Sequence, residues 1–196
     1  MDSNIKAYAK DKFYEVFDMT ETLNRMFNWK EIDEIKMHGY RVSKISSNIA
    51  KKMGLSKLEI ETAQICGLLH DIGKFFISPD ILNKRTDLTK EEFLIIKKHV
   101  IYSKDYMIKK GYHEYSDIVL YHHEREDGSG YYGLTGDKIP LVSKIIALSD
   151  VYDALNSNRT YRKAYKRETA LQIIVQEKLK YDKDVYKAFN DLIGFR

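Results

Sequence analysis

The sequence predicts an all-α protein, built as a single-domain helical bundle. Apolar residues recur at steps of three and four along most of the chain, which is the period of one helix face. Only 2 prolines and 10 glycines interrupt these segments in 196 residues. No stretch alternates apolar and polar residues for long enough to indicate a β-strand. A chain of this length can bury a sizeable core.

The first two helices are predicted from apolar spacing alone. We expect residues 1–29 to form a helix that packs on the rest of the domain. A second helix covers residues 32–53, and Gly54 suits its end because glycine readily adopts the left-handed conformation of a C-terminal cap. Nothing in the composition marks residues 1–29 as a domain of their own. Residues 30–196 are expected to form the main domain.

Two capping boxes mark the starts of the third and fourth helices. In a capping box, a Ser or Thr side chain accepts a backbone N–H three residues later, and the Glu at that position reaches back. Ser56 and Glu59 form the first box. Thr89 and Glu92 form the second, and we expect that helix to run as one element toward Gly111.

Four further helices complete the predicted bundle. A short helix ends at the paired histidines, His122 and His123, and a glycine-rich loop follows. A strongly apolar helix covers residues 139–155. The last two helices are predicted over residues 168–180 and 184–193.

The composition excludes several classes of protein. The net charge is +4 and no dense Lys/Arg block occurs, so we expect no DNA or RNA polymer as a partner. No apolar stretch is long enough to span a membrane, and the first residues lack the pattern of a secretory signal. The single cysteine, Cys66, excludes an internal disulfide and fits a reducing compartment. We therefore expect a cytoplasmic protein.

Histidines and carboxylates lie together on the predicted helices. Glu34 and His38 are four residues apart, so they share one face of the second helix. His70 and Asp71 follow each other at the end of the third helix, where they point in different directions. The eight candidate metal ligands are Glu34, His38, His70, Asp71, His99, His122, His123 and Asp150.

Each candidate alone has an ordinary structural explanation. A lone histidine on a helix is usually a hydrogen-bonded core or surface residue, and Glu34 with His38 could be a solvated pair. Taken together, the eight candidates favour a metal site. Asp150 interrupts an apolar helix, and a buried carboxylate is costly without a partner or a metal. Imidazole and carboxylate together suit iron, manganese or zinc. Eight ligands exceed the needs of one ion, so the sequence predicts a multinuclear site, with Asp71 able to bridge.

A series of motifs resembles the HD-GYP family, a branch of the HD metal-dependent phosphohydrolases. The matching pieces occur in the family's order and cover about residues 34–165. His-Asp alone is common by chance, whereas the ordered series is highly specific. The pieces are EIKMHGYRV, HDIGK, KKH, HHEREDGSGY, LTGDKIP and DVYDALNSNRTYRKAY.

The resemblance implies hydrolysis of cyclic di-GMP, with the linear dinucleotide as product and GMP if a second round proceeds. It implies two or three divalent metal ions, with iron or manganese favoured, on the eight candidate ligands. Glu34 matches the acidic position of members that hold a third metal. Lys74 matches a lysine near the scissile phosphate, and Arg159 and Arg162 match basic positions near substrate phosphates. Asp71 and Lys74 are therefore the expected catalytic residues.

One position departs from the family pattern. The triplet Gly-Tyr-Pro is replaced here by Gly130, Tyr131 and Tyr132. Proline would fix φ and stiffen the loop, so Tyr132 leaves the loop freer and adds a ring that could stack on a base. Both tyrosines are expected beside the substrate. The departure changes no ligand position.

Other functions remain open from the sequence. The chain could hydrolyse another cyclic dinucleotide or a mononucleotide, or it could be a non-catalytic module that binds a nucleotide or a protein. Lost ligands would indicate such a module, and all eight positions are filled. Members of the family often carry a sensory domain upstream. We expect none in this chain, and we therefore expect regulation by a partner protein, by expression or not at all.

Overall fold

The computed structural model describes residues 32–158 and 163–194, which form helices and loops without a β-strand. The predicted all-α fold is confirmed. The N-terminal helix predicted over residues 1–29 lies outside the described residues, as do Arg159 and Arg162. Within the described part of the chain, no helix is both long enough and apolar enough to cross a membrane.

Most of the helices follow one another with short connections, and the longest described connection is residues 121–135. Three of them are short 3₁₀ helices, which span Ile72–Phe76, Gly136–Lys138 and Lys178–Lys180. The α-helices of the described residues are α1 (Ile32–Lys52), α2 (Lys57–Leu69), α3 (Pro79–Leu82), α4 (Lys90–Lys97), α5 (His99–Lys109), α6 (His113–Leu120), α7 (Leu141–Asn156), α8 (Arg167–Gln176) and α9 (Lys183–Ile193).

Both predicted capping boxes are present. The Ser56 hydroxyl accepts the Glu59 N–H at 3.3 Å, and the Thr89 hydroxyl accepts the Glu92 N–H at 3.2 Å. In each box the glutamate carboxylate accepts the N–H of the cap residue in return. These bonds satisfy N–H groups that a helix start leaves without partners, so the starts of α2 and α4 follow from local sequence.

The prediction of one helix from Thr89 toward Gly111 is wrong. The segment divides at Lys98 into α4 and α5, and the Lys98 N–H bonds to the carbonyl of Ile95 at 3.1 Å, the tighter spacing of a helix end. No residue of α4 is buried, whereas α5 buries its first residue, His99. The change of direction lets α5 enter the core while α4 stays on the surface. Likewise, the helix predicted over residues 168–180 ends at Gln176.

The core forms where α1, α2, α7 and α9 pack together. The packing of α1 on α2 is close because Gly39 faces the backbone of α2. A β-carbon on Gly39 would lie 2.5 Å from the Leu68 carbonyl oxygen. Among the largest fully buried side chains of this core are Ile49, Leu69, Ile145, Leu148 and Phe189.

We predict that Gly39→Ala destabilises the protein. Helix propensity alone would make this change stabilising by up to about 1 kcal/mol. The added methyl group meets a backbone carbonyl instead, so α1 and α2 must separate, at a cost of about 1–3 kcal/mol. Urea unfolding followed by circular dichroism measures the difference. Asn48→Ala, on the exposed face of the same helix, is the matched control and is expected to change stability by less than about 0.5 kcal/mol. Equal stability of Gly39→Ala and the parent would contradict the close packing.

Candidate metal centre

The turn that carries His70 and Asp71 is held against the start of α5. His70 ends α2, and Asp71 precedes the first 3₁₀ helix. The Ser103 hydroxyl donates to the His70 carbonyl at 2.8 Å and accepts the Gly73 N–H at 2.9 Å. A β-carbon on Gly73 would lie 1.9 Å from the His99 carbonyl oxygen, so only glycine allows this approach. These contacts bring His99 beside Asp71.

The Asp71 carboxylate lies at the centre of the cluster, with one oxygen toward each pair of imidazoles. Its Oδ2 lies 3.4 Å from His70 Nε2 and 3.6 Å from His38 Nε2. Its Oδ1 lies 3.3 Å from His99 Nε2 and 3.9 Å from His122 Nε2. The whole residue is buried. This is the arrangement that a bridging carboxylate needs.

Two groups of side chains that share Asp71 could each hold a metal ion. Within each group, the candidate donor atoms lie within 4.8 Å of one another. Asp150 extends the first group, because its Oδ1 lies 3.0 Å from His38 Nε2 and 4.0 Å from His70 Nε2. The first group is His38, His70 and Asp71, and the second is Asp71, His99, His122 and His123.

Three of the imidazoles are oriented by backbone carbonyls three residues earlier in the chain. Because a carbonyl can only accept, Nδ1 carries the proton in each ring and Nε2 presents its lone pair to the cluster. Metal-binding histidines in proteins are oriented in this way. The bonds run from Nδ1 of His70, His99 and His122 to the carbonyls of Gly67, Ile96 and Val119, at 2.8, 2.7 and 2.7 Å respectively.

The imidazoles of the second group are neutral at pH 7. Burial lowers the pKa of His99 to about 4. Burial, together with the neighbouring imidazoles, holds the pKa of His122 and of His123 well below the usual range. Burial also acts to lower the pKa of His38, but the neighbouring carboxylates of Asp150, Asp153 and Asp71 raise it above its usual value. Only a neutral imidazole binds a metal, so the second group is ready to do so.

Three buried polar atoms in the cluster lack a hydrogen-bond partner: His38 Nε2, His70 Nε2 and Asp71 Oδ1. The approach of His38 Nε2 to Asp150 is short but does not have the alignment of a hydrogen bond. Each such atom costs about 1–3 kcal/mol when left without a partner. Bound cations would accept lone pairs from all three. The residues therefore fit divalent metal ions, and their nitrogen and oxygen donors suit transition metals.

A cavity of about 590 Å³ opens beside the cluster, and Glu34, His38, Asp71 and Lys74 all line it. The Lys74 ammonium lies 2.5 Å from Asp71 Oδ2. Burial acts to raise the pKa of Asp71, but the charges of Lys74 and His70 outweigh it and hold the pKa well below its usual range. Glu34 is half-buried and forms no ion pair with another described residue. The cavity thus joins predicted ligands to the predicted phosphate-binding lysine.

A family model described as an HD domain matches residues 19–185, which is most of the chain. The chain belongs to the HD domain family. The resemblance drawn from the sequence motifs is confirmed by this match and by the relatives and solved structures that the chain resembles.

Three curated relatives cover most of this HD domain. A cyclic di-GMP phosphodiesterase of Thermotoga maritima is 36% identical over 184 residues, which is 89% of this chain and 48% of the relative. One of Pseudomonas aeruginosa is 33% identical over 161 residues, 81% of this chain and 39% of the relative. A 3'3'-cGAMP-specific phosphodiesterase of Vibrio cholerae is 30% identical over 179 residues, 89% of this chain and 33% of the relative. The chain therefore spans less than half the length of each.

Solved structures share the fold of this HD domain. An HDG"Y"P protein of Bdellovibrio bacteriovorus matches with a TM-score of 0.69 and 22% identity, over 97% of this chain and 63% of that one. The HD domain of the L. monocytogenes phosphodiesterase PgpH, in complex with cyclic-di-AMP, matches with a TM-score of 0.57 and 18% identity, over 80% of this chain and 86% of that one. At these identities the likeness concerns the fold alone.

Within this HD domain, His38 is oriented by a carboxylate that the sequence analysis missed. Asp153 Oδ2 lies 2.7 Å from His38 Nδ1, and Arg41 donates to both oxygens of Asp153 at 2.6 and 2.9 Å. Burial acts to raise the pKa of Asp153, but the bonds from His38 and Arg41 hold it below its usual value. The sequence feature that could have identified Asp153 is its position three residues after Asp150, on the same face of α7.

The two loop tyrosines have different surroundings. The Tyr131 ring lies 4.6 Å from the His123 ring and 6.3 Å from the His99 ring, between centroids, so it covers the second ligand group. The Tyr132 ring packs on Tyr121 at 5.8 Å and does not line the cavity. Tyr131 thus lies beside the candidate ligands, whereas Tyr132 packs on Tyr121, and neither ring lines the cavity.

A second residue that the sequence analysis missed, Glu124, anchors this loop. Its buried carboxylate accepts the N–H of Tyr132 at 2.8 Å and the N–H of Leu134 at 2.7 Å. Glu124 follows His123 directly, so the loop is tied to the chain segment that carries two candidate ligands. Its place after the paired histidines was visible in the sequence, but its bonds to the loop were not.

We predict that Asp153→Ala weakens metal binding without unfolding the bundle. Without Asp153, the His38 ring loses the acceptor that orients it, and loss of such a partner typically lowers metal affinity about 10- to 100-fold. Competitive titration of metal-free protein against a chromogenic chelator measures the affinity. Asp117→Ala removes an exposed carboxylate of α6 and serves as the control with unchanged affinity. If Asp153→Ala bound metal as tightly as this control, Asp153 would have no role in orienting His38.

Proposed function

We propose that this HD domain is a metal-dependent phosphodiesterase that hydrolyses cyclic di-GMP to the linear dinucleotide and, if a second round proceeds, to GMP. The proposal rests on the position of the Asp71 carboxylate. One of its oxygens faces one set of imidazoles, the other oxygen faces a second set, and a cavity of about 590 Å³ opens beside them. A cavity of this volume is in the range that binds small-molecule ligands. The activities named for the Thermotoga maritima and Pseudomonas aeruginosa relatives support the choice of substrate.

In this proposal, Asp71 would help to hold two divalent ions, and Glu34 would help to hold a third. Iron or manganese are the proposed metals, because imidazole and carboxylate ligands suit them. Ions held by these residues would activate water and would neutralise charge on the phosphoryl oxygens. The first ion would be held by His38, His70, Asp71 and Asp150, and the second by Asp71, His99, His122 and His123.

In this proposal, cationic side chains of the protein bind the substrate phosphates, and one of them donates the proton that the leaving oxygen needs. The Lys74 ammonium reaches Asp71 within the cavity, so a phosphate bound over that carboxylate lies within its reach. Lys74 would offset the charge of the phosphate and donate a proton to the leaving oxygen. Arg159 and Arg162 are proposed to hold substrate phosphates through bidentate contacts.

A second candidate substrate is a cyclic dinucleotide that contains adenine. The Vibrio cholerae relative is named as specific for 3'3'-cGAMP, and the L. monocytogenes structural neighbour contains cyclic-di-AMP. Hydrolysis rates of metal-loaded protein on cyclic di-GMP, 3'3'-cGAMP and cyclic-di-AMP decide between these substrates. A non-catalytic binding module is disfavoured because seven of the eight predicted ligands converge.

The proposal also includes a cytoplasmic location, and it leaves regulation to a partner protein, to expression or to neither. The free thiol of Cys66 is buried and fits a reducing compartment. A dispersed net charge of +4 gives no reason to expect a DNA or RNA polymer as partner.

We predict that Asp71→Ala loses both hydrolysis and most bound metal while helical content persists. Asp71 faces both ligand groups, so its removal leaves neither group complete. Metal analysis of anaerobically purified protein and chromatography of the products from cyclic di-GMP measure the two effects. Asp105→Ala, which changes an exposed carboxylate of α5, is the control. Full metal content and turnover in Asp71→Ala would show that the proposed centre is wrong.

We predict that Glu34→Ala lowers the metal content from three ions per chain toward two. Glu34 lies one helical turn before His38 and lines the same cavity, so its carboxylate adds negative charge beside the cluster. The remaining ligands can still hold two ions, and at least one hydrolytic step should slow. Elemental analysis and rates of both steps, compared with the parent, test this. Unchanged stoichiometry and rates would leave a site for two ions, with Glu34 uninvolved.

A further inference from the structure

One wall of the cavity consists of residues that have no part in the proposed metal centre. The segment 83–88 lies in the connection between α3 and α4, and all six of its residues line the cavity together with Asp71 and Lys74. Five of the six are polar or charged. A ligand whose phosphate lies at the metal centre would therefore meet this segment with another of its parts.

One residue of the segment is held by an ion pair, and two others carry charges that are not paired within the described parts of the chain. The Lys84 ammonium donates to both carboxylate oxygens of Glu92, at 2.8 and 2.6 Å, which ties the segment to α4 and neutralises that lysine. Arg85 and Asp87 are exposed, and neither forms an ion pair with another residue in the described parts of the chain. Their charged groups are therefore available to a ligand in the cavity.

We propose that Arg85 and Asp87 bind a guanine base of the cyclic dinucleotide and select it over adenine, an inference that rests on the proposed function. Guanine presents two acceptors, O6 and N7, which match the fork of an arginine guanidinium. Its 2-amino group is a donor that a carboxylate accepts. Adenine has a donor in place of O6 and no 2-amino group, so it would meet Arg85 with an N–H and leave Asp87 without a partner.

An aromatic side chain beside this wall offers a surface for the base. Phe93 lines the cavity and is 46% exposed, although it is a large apolar residue. Its ring lies 6.4 Å from the Tyr131 ring, and the Lys97 ammonium lies over both rings, at 5.7 and 4.5 Å from their centroids. Bases stack on such exposed rings. Tyr131 in turn packs on His123, so the stacking surface continues to the candidate ligands.

The carboxylate distinguishes a guanine site from a second phosphate site. An arginine alone would also bind the other phosphate of a cyclic dinucleotide. Asp87 lines the same wall two residues away, and its negative charge would repel a phosphate bound by Arg85. A base edge that combines acceptors with donors suits both charges at once, which is why we favour guanine.

The experiment compares Arg85→Lys with the parent, because lysine keeps the charge but lacks the two-pronged fork. Equilibrium binding of cyclic di-GMP, 3'3'-cGAMP and cyclic-di-AMP to metal-loaded full chain is measured together with hydrolysis. We expect the parent to prefer guanine, and we expect Arg85→Lys to weaken cyclic di-GMP about 10- to 100-fold while cyclic-di-AMP changes less than about twofold. Asp87→Asn should also weaken the guanine ligands selectively.

Lys90→Gln is the matched control, since it removes an exposed positive charge just after the segment and leaves the Lys84–Glu92 pair intact. Lys90 does not line the cavity, so this change should alter the affinity for all three ligands by the same small factor. An equal loss for all three ligands in Arg85→Lys would overturn the inference and make Arg85 a phosphate ligand.

Two further outcomes separate this inference from the proposed function. If the parent hydrolyses cyclic di-GMP but binds guanine and adenine ligands equally, the inference is overturned and the proposed function stands. If the parent binds guanine ligands selectively through Arg85 but hydrolyses none of them, the inference stands and the proposed function is wrong. Failure to bind any of the three ligands overturns both.

Discussion

The site depends on one buried carboxylate. Asp71 is 3% exposed, and its charge is costly in that position unless cations or hydrogen-bond donors surround it. Its neighbours come from α1, the end of α2, the start of α5 and the residues after α6. A shift of any of these segments would remove part of that environment. The geometry of the centre therefore depends on the packing of these helices.

The position of each histidine in its helix determines how its ring is oriented. The last four carbonyls of a helix have no partner within it. His70, His99 and His122 follow such carbonyls and donate Nδ1–H to them, so local backbone fixes their rings. His38 lies inside α1, where the carbonyls are already engaged. Its Nδ1 is instead hydrogen-bonded to the Asp153 carboxylate of α7, and Arg41 donates to the same carboxylate.

The cavity separates two tasks in our proposals. At one side, largely buried ligands hold metal ions, and Lys74 binds phosphate. At another, the exposed segment 83–88 contacts a base, and the Lys84 to Glu92 ion pair limits its movement. Selection by an exposed loop on a rigid helical support allows the substrate to change without alteration of the chemistry. The chain's relatives, which are named for different cyclic dinucleotides, are consistent with such a division.

The sequence by itself determined the helical class, the starts of α2 and α4, and the candidate ligands, because these depend on spacing and on bonds over three or four residues. It did not reveal the break at Lys98, which exists because α5 packs into the core and α4 does not. Nor did it reveal Asp153, which is 115 residues from His38, or Arg85 as part of the cavity wall. Only the tertiary structure decided these, because contacts between distant segments arise from packing and leave no local pattern.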